Sequence, residues 1–295
     1  MKKLIIVALI ASIGTLSSCG GSKILTQKNT EAQSSFSSGD YQIALNSYEE
    51  IIGIYTTNDN SDGCPVYTNA GISAYKVGDY KKAIKYLKLD EFSTFKNPQT
   101  LYYLGLAFNK VDNLSLEMLA LQDYLNDYPQ GEKFGEVQER LYYLYVESDN
   151  YDKALTLWPV ISKGKEGDID LIESYFGIYE GLNNSDSCTV IATRLLKLDP
   201  RNETALFYKG KKYYRQAEDL YQTEMKAYNA KKTNKQYKKL LAALDIVTAD
   251  FKKSLGYFKK LYSDYPKPEY ANYLSHIYNR LSDEKKSNYY KQLSK

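Results

Sequence analysis

Residues that commonly carry catalysis are few in this sequence and lack catalytic spacing. The 295-residue chain has one histidine, His276, and three cysteines, Cys19, Cys64 and Cys188. No Cys/His ligand set with zinc spacing occurs, and neither do the common hydrolase, metalloprotease and phosphate-loop patterns. A pair of carboxylates could still serve glycoside hydrolysis, which sequence alone does not exclude. We predict that the chain is not an enzyme and that it binds no metal and no cofactor. We expect His276 to be structural, and Cys64 and Cys188 to be free, inert thiols.

Cys19 is the one cysteine with a chemical context. Residues 1–18 begin with two lysines and continue with a short apolar run, the layout of a secretory signal peptide. Leu16-Ser17-Ser18-Cys19 resembles the lipobox of bacterial lipoproteins, which implies that Cys19 is lipidated and that residues 19–24 form a short tether. Two or more acyl chains anchor a protein stably. In many bacterial lipoproteins an Asp after the lipidated cysteine retains the protein in the inner membrane. No Asp follows Cys19, so we expect a location at the bacterial outer membrane, facing the periplasm.

A short phrase recurs along the chain and indicates how it is built. It reads GDYQIA at 39–44, GDYKKA at 78–83 and DNYDKA at 149–154. Glycine can end a helix in the left-handed conformation, and the following Asp can cap the next helix. A small Ala then lets two helices approach closely. The phrase therefore predicts a corner between two packed helices.

A wider match surrounds the second phrase. Between 67 and 87, small and apolar residues occupy the signature positions of the tetratricopeptide repeat, or TPR: Tyr67, Gly71, Ala74, Gly78, Ala83 and Leu87. The chain resembles this family over residues 25–295. The resemblance implies an all-α fold of helix–turn–helix repeats stacked as a right-handed superhelix, an α-solenoid.

About seven repeats fit the chain after residue 24. They start near residues 25, 64, 98, 135, 169, 203 and 267. The sixth interval is far longer than the family period, and the segment contains few helix breakers. The sequence therefore predicts two elongated helices near 203–264.

The resemblance also implies a groove lined by the first helix of each repeat. Positions expected to face a partner in that groove are Tyr75, Lys76, Tyr102, Asn109, Lys110, Glu139, Tyr143, Glu147, Glu173, Glu180, Phe207, Lys211, Tyr214 and Arg215. Aromatic anchors with mixed charge suit a peptide or helix ligand. Each tyrosine at such a position serves either the groove or the seam between repeats.

Charge is distributed unevenly along the chain. Residues 20–202 hold 17 Lys/Arg and 26 Asp/Glu, whereas residues 203–295 hold 20 and 10. The overall net charge of +3 is too small to indicate nucleic acid, and we expect none as a partner. The basic end includes five lysines that could face anionic lipid or simply solvate helix ends: Lys231, Lys232, Lys235, Lys238 and Lys239.

These observations favour a function by class. We expect a membrane-anchored, non-catalytic TPR lipoprotein that binds cell-envelope proteins through its groove, as an adaptor or assembly factor. The alternative is an outer-membrane carbohydrate-binding lipoprotein, because tyrosine platforms also suit sugars. The sequence leaves the oligomeric state open.

Overall fold

The computed structural model describes the backbone from Ser18 to Lys295 and the side chains from Ile24 onward. The predicted signal peptide lies outside the described residues, apart from the backbone of Ser18. The side chain of Cys19 lies outside them too, so its lipidation stays a prediction.

The described chain is helical and contains no strand between Ser18 and Lys295. It divides into two compact halves at Leu144/Tyr145. In the N-terminal half the helices are α1 Ser18–Ser38, α2 Tyr41–Thr57, α3 Tyr67–Lys76, α4 Tyr80–Glu91, α5 Pro98–Lys110, α6 Leu114–Asp127 and α7 Phe134–Glu147, the last of which runs three residues past the division. In the C-terminal half they are α8 Tyr151–Ile161, α9 Ile169–Gly181, α10 Ser185–Leu198, α11 Glu203–Ala230, α12 Asn234–Asp264, α13 Pro268–Arg280 and α14 Glu284–Leu293.

The first helix begins earlier than the sequence predicts. Residues 19–24, read from their glycines and serine as a tether, continue α1 back to Ser18. A glycine inside a helix costs only about 1 kcal/mol relative to alanine, so Gly20 and Gly21 weaken this turn without forbidding it.

The repeated phrase forms the predicted corner, but only its second copy has the side-chain cap. Gly39 and Gly78 have φ values of +87° and +86°, the left-handed region that ends a helix. The Asp79 carboxylate accepts from the Lys82 amide at 3.0 Å and caps α4. The prediction of a matching cap at Asp40 is wrong, because its carboxylate accepts from the Ser38 hydroxyl at 2.8 Å instead.

Later corners place a non-glycine residue in the same conformation. Asp112, Asp149, Asn183 and Ser282 all have φ between 54° and 62°. Asp and Asn tolerate this region better than other side chains. The corner geometry therefore persists where the glycine that marks it in sequence is missing.

Small residues set the spacing within helix pairs. A Cβ added to Gly71 would lie 2.5 Å from Leu87 Cγ, and one added to Gly105 would lie 2.6 Å from Leu121 Cδ2. Ala83, on the corner phrase, is fully buried. Close approach in α3–α4 and α5–α6 thus depends on these small positions.

A buried carboxylate joins three helices of the N-terminal half. Asp90, at the end of α4, is fully buried and accepts from the Thr68 hydroxyl of α3 at 2.6 Å. Thr100 of α5 also donates to Asp90, and Ser93 donates at 2.9 Å. Buried polar groups are stable only when they are hydrogen-bonded, and this one has three hydroxyl donors.

The C-terminal half is organised by two long helices. α11 and α12 have 28 and 31 residues and lie where the sequence predicts elongated helices. They meet closely at Gly210, whose carbonyl accepts from the Ser254 hydroxyl at 2.9 Å. Phe258 is fully buried there and stacks on Tyr273 of α13 with ring centroids 4.3 Å apart.

The single tryptophan of the chain also lies in this half. Trp158 of α8 stacks on Tyr175 of α9, with ring centroids 3.8 Å apart and an interplanar angle of 7°. This stack ties α8 to the following repeat.

None of the helices from Ser18 onward combines the length and the apolar character that crossing a membrane requires.

Candidate functional site

The first two predicted groove residues lie in a seam between helices. The Tyr75 ring is half-buried, with centroids 5.6 Å from Tyr80 and 5.5 Å from Tyr103. Lys76 is exposed, and its ammonium lies 5.8 Å from the centroid of the Tyr103 ring. Tyr75 therefore packs repeats together, whereas Lys76 faces solvent.

Tyr102 lines a cavity but is already engaged by its neighbours. Its hydroxyl donates to Glu136, and the Lys133 ammonium lies 5.8 Å from its ring centroid. Burial first, and the bond to Glu136 second, raise the pKa of the Tyr102 phenol. The cavity is about 430 Å³ and also includes Tyr103 and Tyr124.

Asn109 belongs to a buried polar cluster. Its amide donates to Glu117 at 3.1 Å, and Glu117 is almost fully buried. Arg140 of α7 donates to both oxygens of Glu117, at 2.6 and 3.0 Å. The side chain of Asn109 therefore supports this ion pair, whereas the neighbouring Lys110 is exposed.

The predicted acidic part of the groove is divided between two places. Glu139 and Tyr143 of α7 line a cavity of about 290 Å³ together with Tyr102 and Arg140. Glu147 is exposed at the end of α7.

A cavity of about 640 Å³ lies in the C-terminal half and brings four predicted residues together. Glu180 comes from α9, and Phe207, Lys211 and Arg215 come from α11. Residues spaced by four lie on one face of a helix, which is why the three α11 residues share the cavity. We call this cavity the α9–α11 groove.

Two other predicted residues of this half stabilise contacts between helices. The Glu173 carboxylate accepts from the Asn202 amide at 2.7 Å, beside the start of α11. The Tyr214 ring packs against Phe251 and Tyr273, with centroids 5.8 and 5.2 Å away. Neither lines the α9–α11 groove.

The groove also contains residues that the sequence did not indicate. They include Phe176, Cys188, Glu203, Tyr208, Lys212, Gln216, Asp219 and Tyr270. Phe176 and Tyr208 pack edge to face with centroids 5.3 Å apart, so they form an apolar wall. Their only sequence signal was their aromatic type on first helices of repeats.

The charges of the groove differ in how far they are neutralised. Burial opposes ionisation of Glu203, but bonds from Lys267 and Tyr270 outweigh it and lower the pKa of this carboxyl. Lys212 donates to Thr189 at 2.7 Å. Arg215 makes no ion pair or hydrogen bond within residues 24–295.

Lys211 lies beside a third aromatic residue of the groove, Phe207. Its ammonium lies 4.9 Å from the Phe207 ring centroid, a cation–π distance. The groove thus presents apolar surface beside cationic groups at Lys211 and Arg215.

No family model matches the sequence, and no curated protein does either. Solved structures do resemble the chain. A protein from Bacteroides ovatus, provisionally named a protein-binding protein, has a TM-score of 0.50 and 16% identity, covering 64% of this chain and 100% of that one. The C-terminal part of a TPR repeat-containing protein from Cytophaga hutchinsonii has a TM-score of 0.51 and 13% identity, covering 90% and 93%.

The chain has the TPR fold. Its helices pack in consecutive pairs, so the prediction of an all-α fold of helix–turn–helix repeats is confirmed. Identities this low extend the likeness to the fold and no further. α9 and α11 are the first helices of adjacent helix pairs, α9–α10 and α11–α12.

No group of residues that could hold a metal ion occurs in the part of the chain that the structure describes. His276 is exposed on α13. Cys64 and Cys188 are buried, free thiols, and burial raises the pKa of each. A raised thiol pKa leaves less of the reactive thiolate at neutral pH.

Proposed function

We propose that this chain is a non-catalytic adaptor of the bacterial cell envelope. It binds a segment of an envelope protein in the α9–α11 groove and is held at the outer membrane, facing the periplasm, by lipid on Cys19. The observation that carries the binding role is the groove itself, which combines an aromatic wall with cationic groups.

The chemistry of the groove indicates the kind of segment that fits. Phe176, Phe207 and Tyr208 offer apolar area to an aliphatic or aromatic side chain. Lys211 and Arg215 suit a carboxylate next to it, and Arg can hold a carboxylate through two parallel bonds. A segment with an acidic residue beside an apolar anchor therefore matches the site. The TPR fold and the provisional name of the Bacteroides ovatus structure support a protein-binding role in general.

Site-specific photocrosslinking in cells tests the groove. A photoreactive residue at Gln216, exposed and lining the groove, should capture a reproducible protein partner. The same residue at Val190, which is 70% exposed and outside the groove, is the control. Equal capture at both positions, or capture of abundant bystanders alone, would remove the support for a groove partner.

Charge reversal then tests the chemistry. Arg215→Glu should abolish the crosslink from Gln216, because the carboxylate of the partner would meet a like charge. Lys197→Glu, on an exposed lysine of α10 that lies outside the groove, should leave it intact. If both variants keep the crosslink, the partner does not read the groove charge.

The anchor rests on the sequence around Cys19. Metabolic labelling with a fatty acid should mark the wild-type chain and fail with Cys19→Ala, whereas Cys19→Ala should not affect binding in the groove. Labelling that survives Cys19→Ala, or a wild-type chain that fractionates away from the outer membrane, would contradict the anchor or the location.

A further inference from the structure

A hairpin of α11 and α12 ends in a lysine-rich surface. Its tip, residues 224–241, has one acidic residue, Glu224, and no arginine. The lysines of this basic tip are Lys226, Lys231, Lys232, Lys235, Lys238 and Lys239.

The basic tip extends past the helix that packs beside it. Arg280, the last residue of α13, donates to both oxygens of Glu218 on α11 and lies 4.5 Å from the Tyr221 ring centroid. α11 continues from there to Ala230. At a rise of 1.5 Å per residue, the part of α11 beyond Tyr221 is about 14 Å long. The lysines therefore stand clear of the end of α13.

The charge of the basic tip is not neutralised by the protein. Each of its lysines is exposed, and none makes an ion pair within the described residues. Glu224 is occupied by the Gln236 amide, which donates to it at 3.2 Å. Six cationic groups thus remain for an external partner.

The kind of cation and the residues among the lysines indicate which partner. Arginine forms fixed, bidentate contacts, whereas lysine acts as a hydrated point charge on a flexible stem. A surface with lysine alone suits a diffuse layer of negative charge. Tyr237 and Leu241, on the same helix, are 48% and 45% exposed, and tyrosine favours the headgroup level of bilayers. None of the cavities described above includes a tip residue.

We propose that the basic tip docks on an anionic lipid surface. The lysines contact the headgroup charge, while Tyr237 and Leu241 enter the interfacial layer between them. The contact is independent of the α9–α11 groove and needs no acyl group on Cys19. It gives the C-terminal half its own attachment to a membrane.

Vesicle binding of the full chain carrying Cys19→Ala tests the proposal. Vesicles of phosphatidylcholine with phosphatidylglycerol are compared with vesicles of phosphatidylcholine alone, at low and high salt. Each lysine near an anionic surface contributes about 1 kcal/mol, so replacing Lys232, Lys235 and Lys239 with Gln should weaken binding to the anionic vesicles by about a hundredfold. The N-terminal segment is the same in every variant, so its contribution cancels.

The matched control lies on the same helix. Lys252, Lys259 and Lys260 are exposed lysines in the second half of α12, and their change to Gln alters the net charge equally. The control should bind as the parent does, and Tyr237→Ser with Leu241→Ser should lower the binding that remains at high salt. Circular dichroism checks that the variants are folded.

Three results would overturn the proposal. Equal binding to vesicles with and without phosphatidylglycerol would show that the contact is not electrostatic. An equal loss of binding in the tip triple and the control triple would show that only the net charge of the protein matters. A polyglutamate peptide or a short duplex DNA that binds the tip at least as tightly as the anionic vesicles, with the same loss in the tip triple, would assign the surface to another acidic polymer.

Discussion

The buried carboxylate of Asp90 gives the sharpest test of how the N-terminal half is held together. Thr68→Val removes one hydroxyl donor, 2.6 Å from a carboxylate that is fully buried, and replaces it with a methyl group of similar size. A hydrogen bond to a charged group is worth about 1.5–3 kcal/mol. Burying the added methyl returns about 0.8 kcal/mol. We therefore expect a net loss of about 1–2 kcal/mol in the free energy of unfolding.

Urea titration followed by far-ultraviolet circular dichroism measures this loss. Thermal melts should show it as a fall of about 2–8 °C, since 1 kcal/mol shifts a domain of this size by about 2–4 °C. Thr57→Val is the control, because the Thr57 hydroxyl is exposed and bonds only to the Gly53 carbonyl of its own helix. Hydrogen exchange should place the weakening in α3, α4 and α5.

A triple variant separates hydrogen bonding from packing. Thr68→Val, Thr100→Val and Asp90→Leu together replace the two threonine donors and their acceptor by apolar groups, and such a joint replacement can be nearly neutral or stabilising. The triple variant should therefore be more stable than Thr68→Val with Thr100→Val alone. If Thr68→Val matches the wild type, or if Asp90→Leu brings no recovery, the three-helix network does not contribute as we infer.

Three further outcomes follow from packing and ionisation. Ala83→Leu should lower the free energy of unfolding by about 1–3 kcal/mol through overpacking, and an unchanged thermal melt would contradict the close crossing of α3 and α4. Cys64 and Cys188 should react with a thiol reagent only after unfolding, because burial raises the pKa of both thiols; fast labelling of the native chain would disprove their burial. The bond from Tyr102, followed by one from Lys133, lowers the pKa of Glu136, whose ordinary value is 4.5, so this pairing stabilises the fold above that pH and fades as pH falls below it. The Glu136 side chain is exposed, so Tyr102→Phe should lower the free energy of unfolding by no more than about 1 kcal/mol near pH 7. A difference in melting temperature between wild type and variant that grows toward pH 3 would contradict the expected pH dependence.

Local signals made the early corners of the fold predictable. Gly78, Asp79 and Ala83 each have a backbone or size requirement that is visible in one residue. The later corners use Asp149 or Asn183 in the left-handed conformation, which polar residues also adopt in many loops. The corner is the same, but its sequence signal is weaker there.

The candidate site was predictable only where one helix supplies it. Phe207, Lys211 and Arg215 follow the four-residue spacing of a helix face, so the sequence places them together. Tyr75 and Tyr214 occupy the same position in their own repeats, and the sequence predicts both of them in the groove. Each ring instead packs against an aromatic residue of the next repeat, Tyr103 for Tyr75 and Tyr273 for Tyr214. Which tyrosines remain in the groove depends on contacts between helices distant in sequence.

Interactions between distant elements explain what the sequence could not indicate. Asp90 looks like an ordinary acidic residue at the end of a helix, and only the meeting of α3, α4 and α5 shows its three donors. Glu117 likewise reads as a solvated acid on α6 until Arg140 is seen to pair with it. Buried charges of this kind have no signature in a single sequence.

The stacked pair of Trp158 and Tyr175 has a practical consequence. Because the chain has one tryptophan, indole fluorescence reports on the C-terminal half alone, while tyrosine emission and circular dichroism report on all repeats. The emission of a tryptophan changes when its ring leaves a stack. Unfolding of the C-terminal half can therefore be distinguished from unfolding of the whole chain in a single sample. The same signal can show whether a partner that binds the α9–α11 groove makes α8 and α9 more rigid.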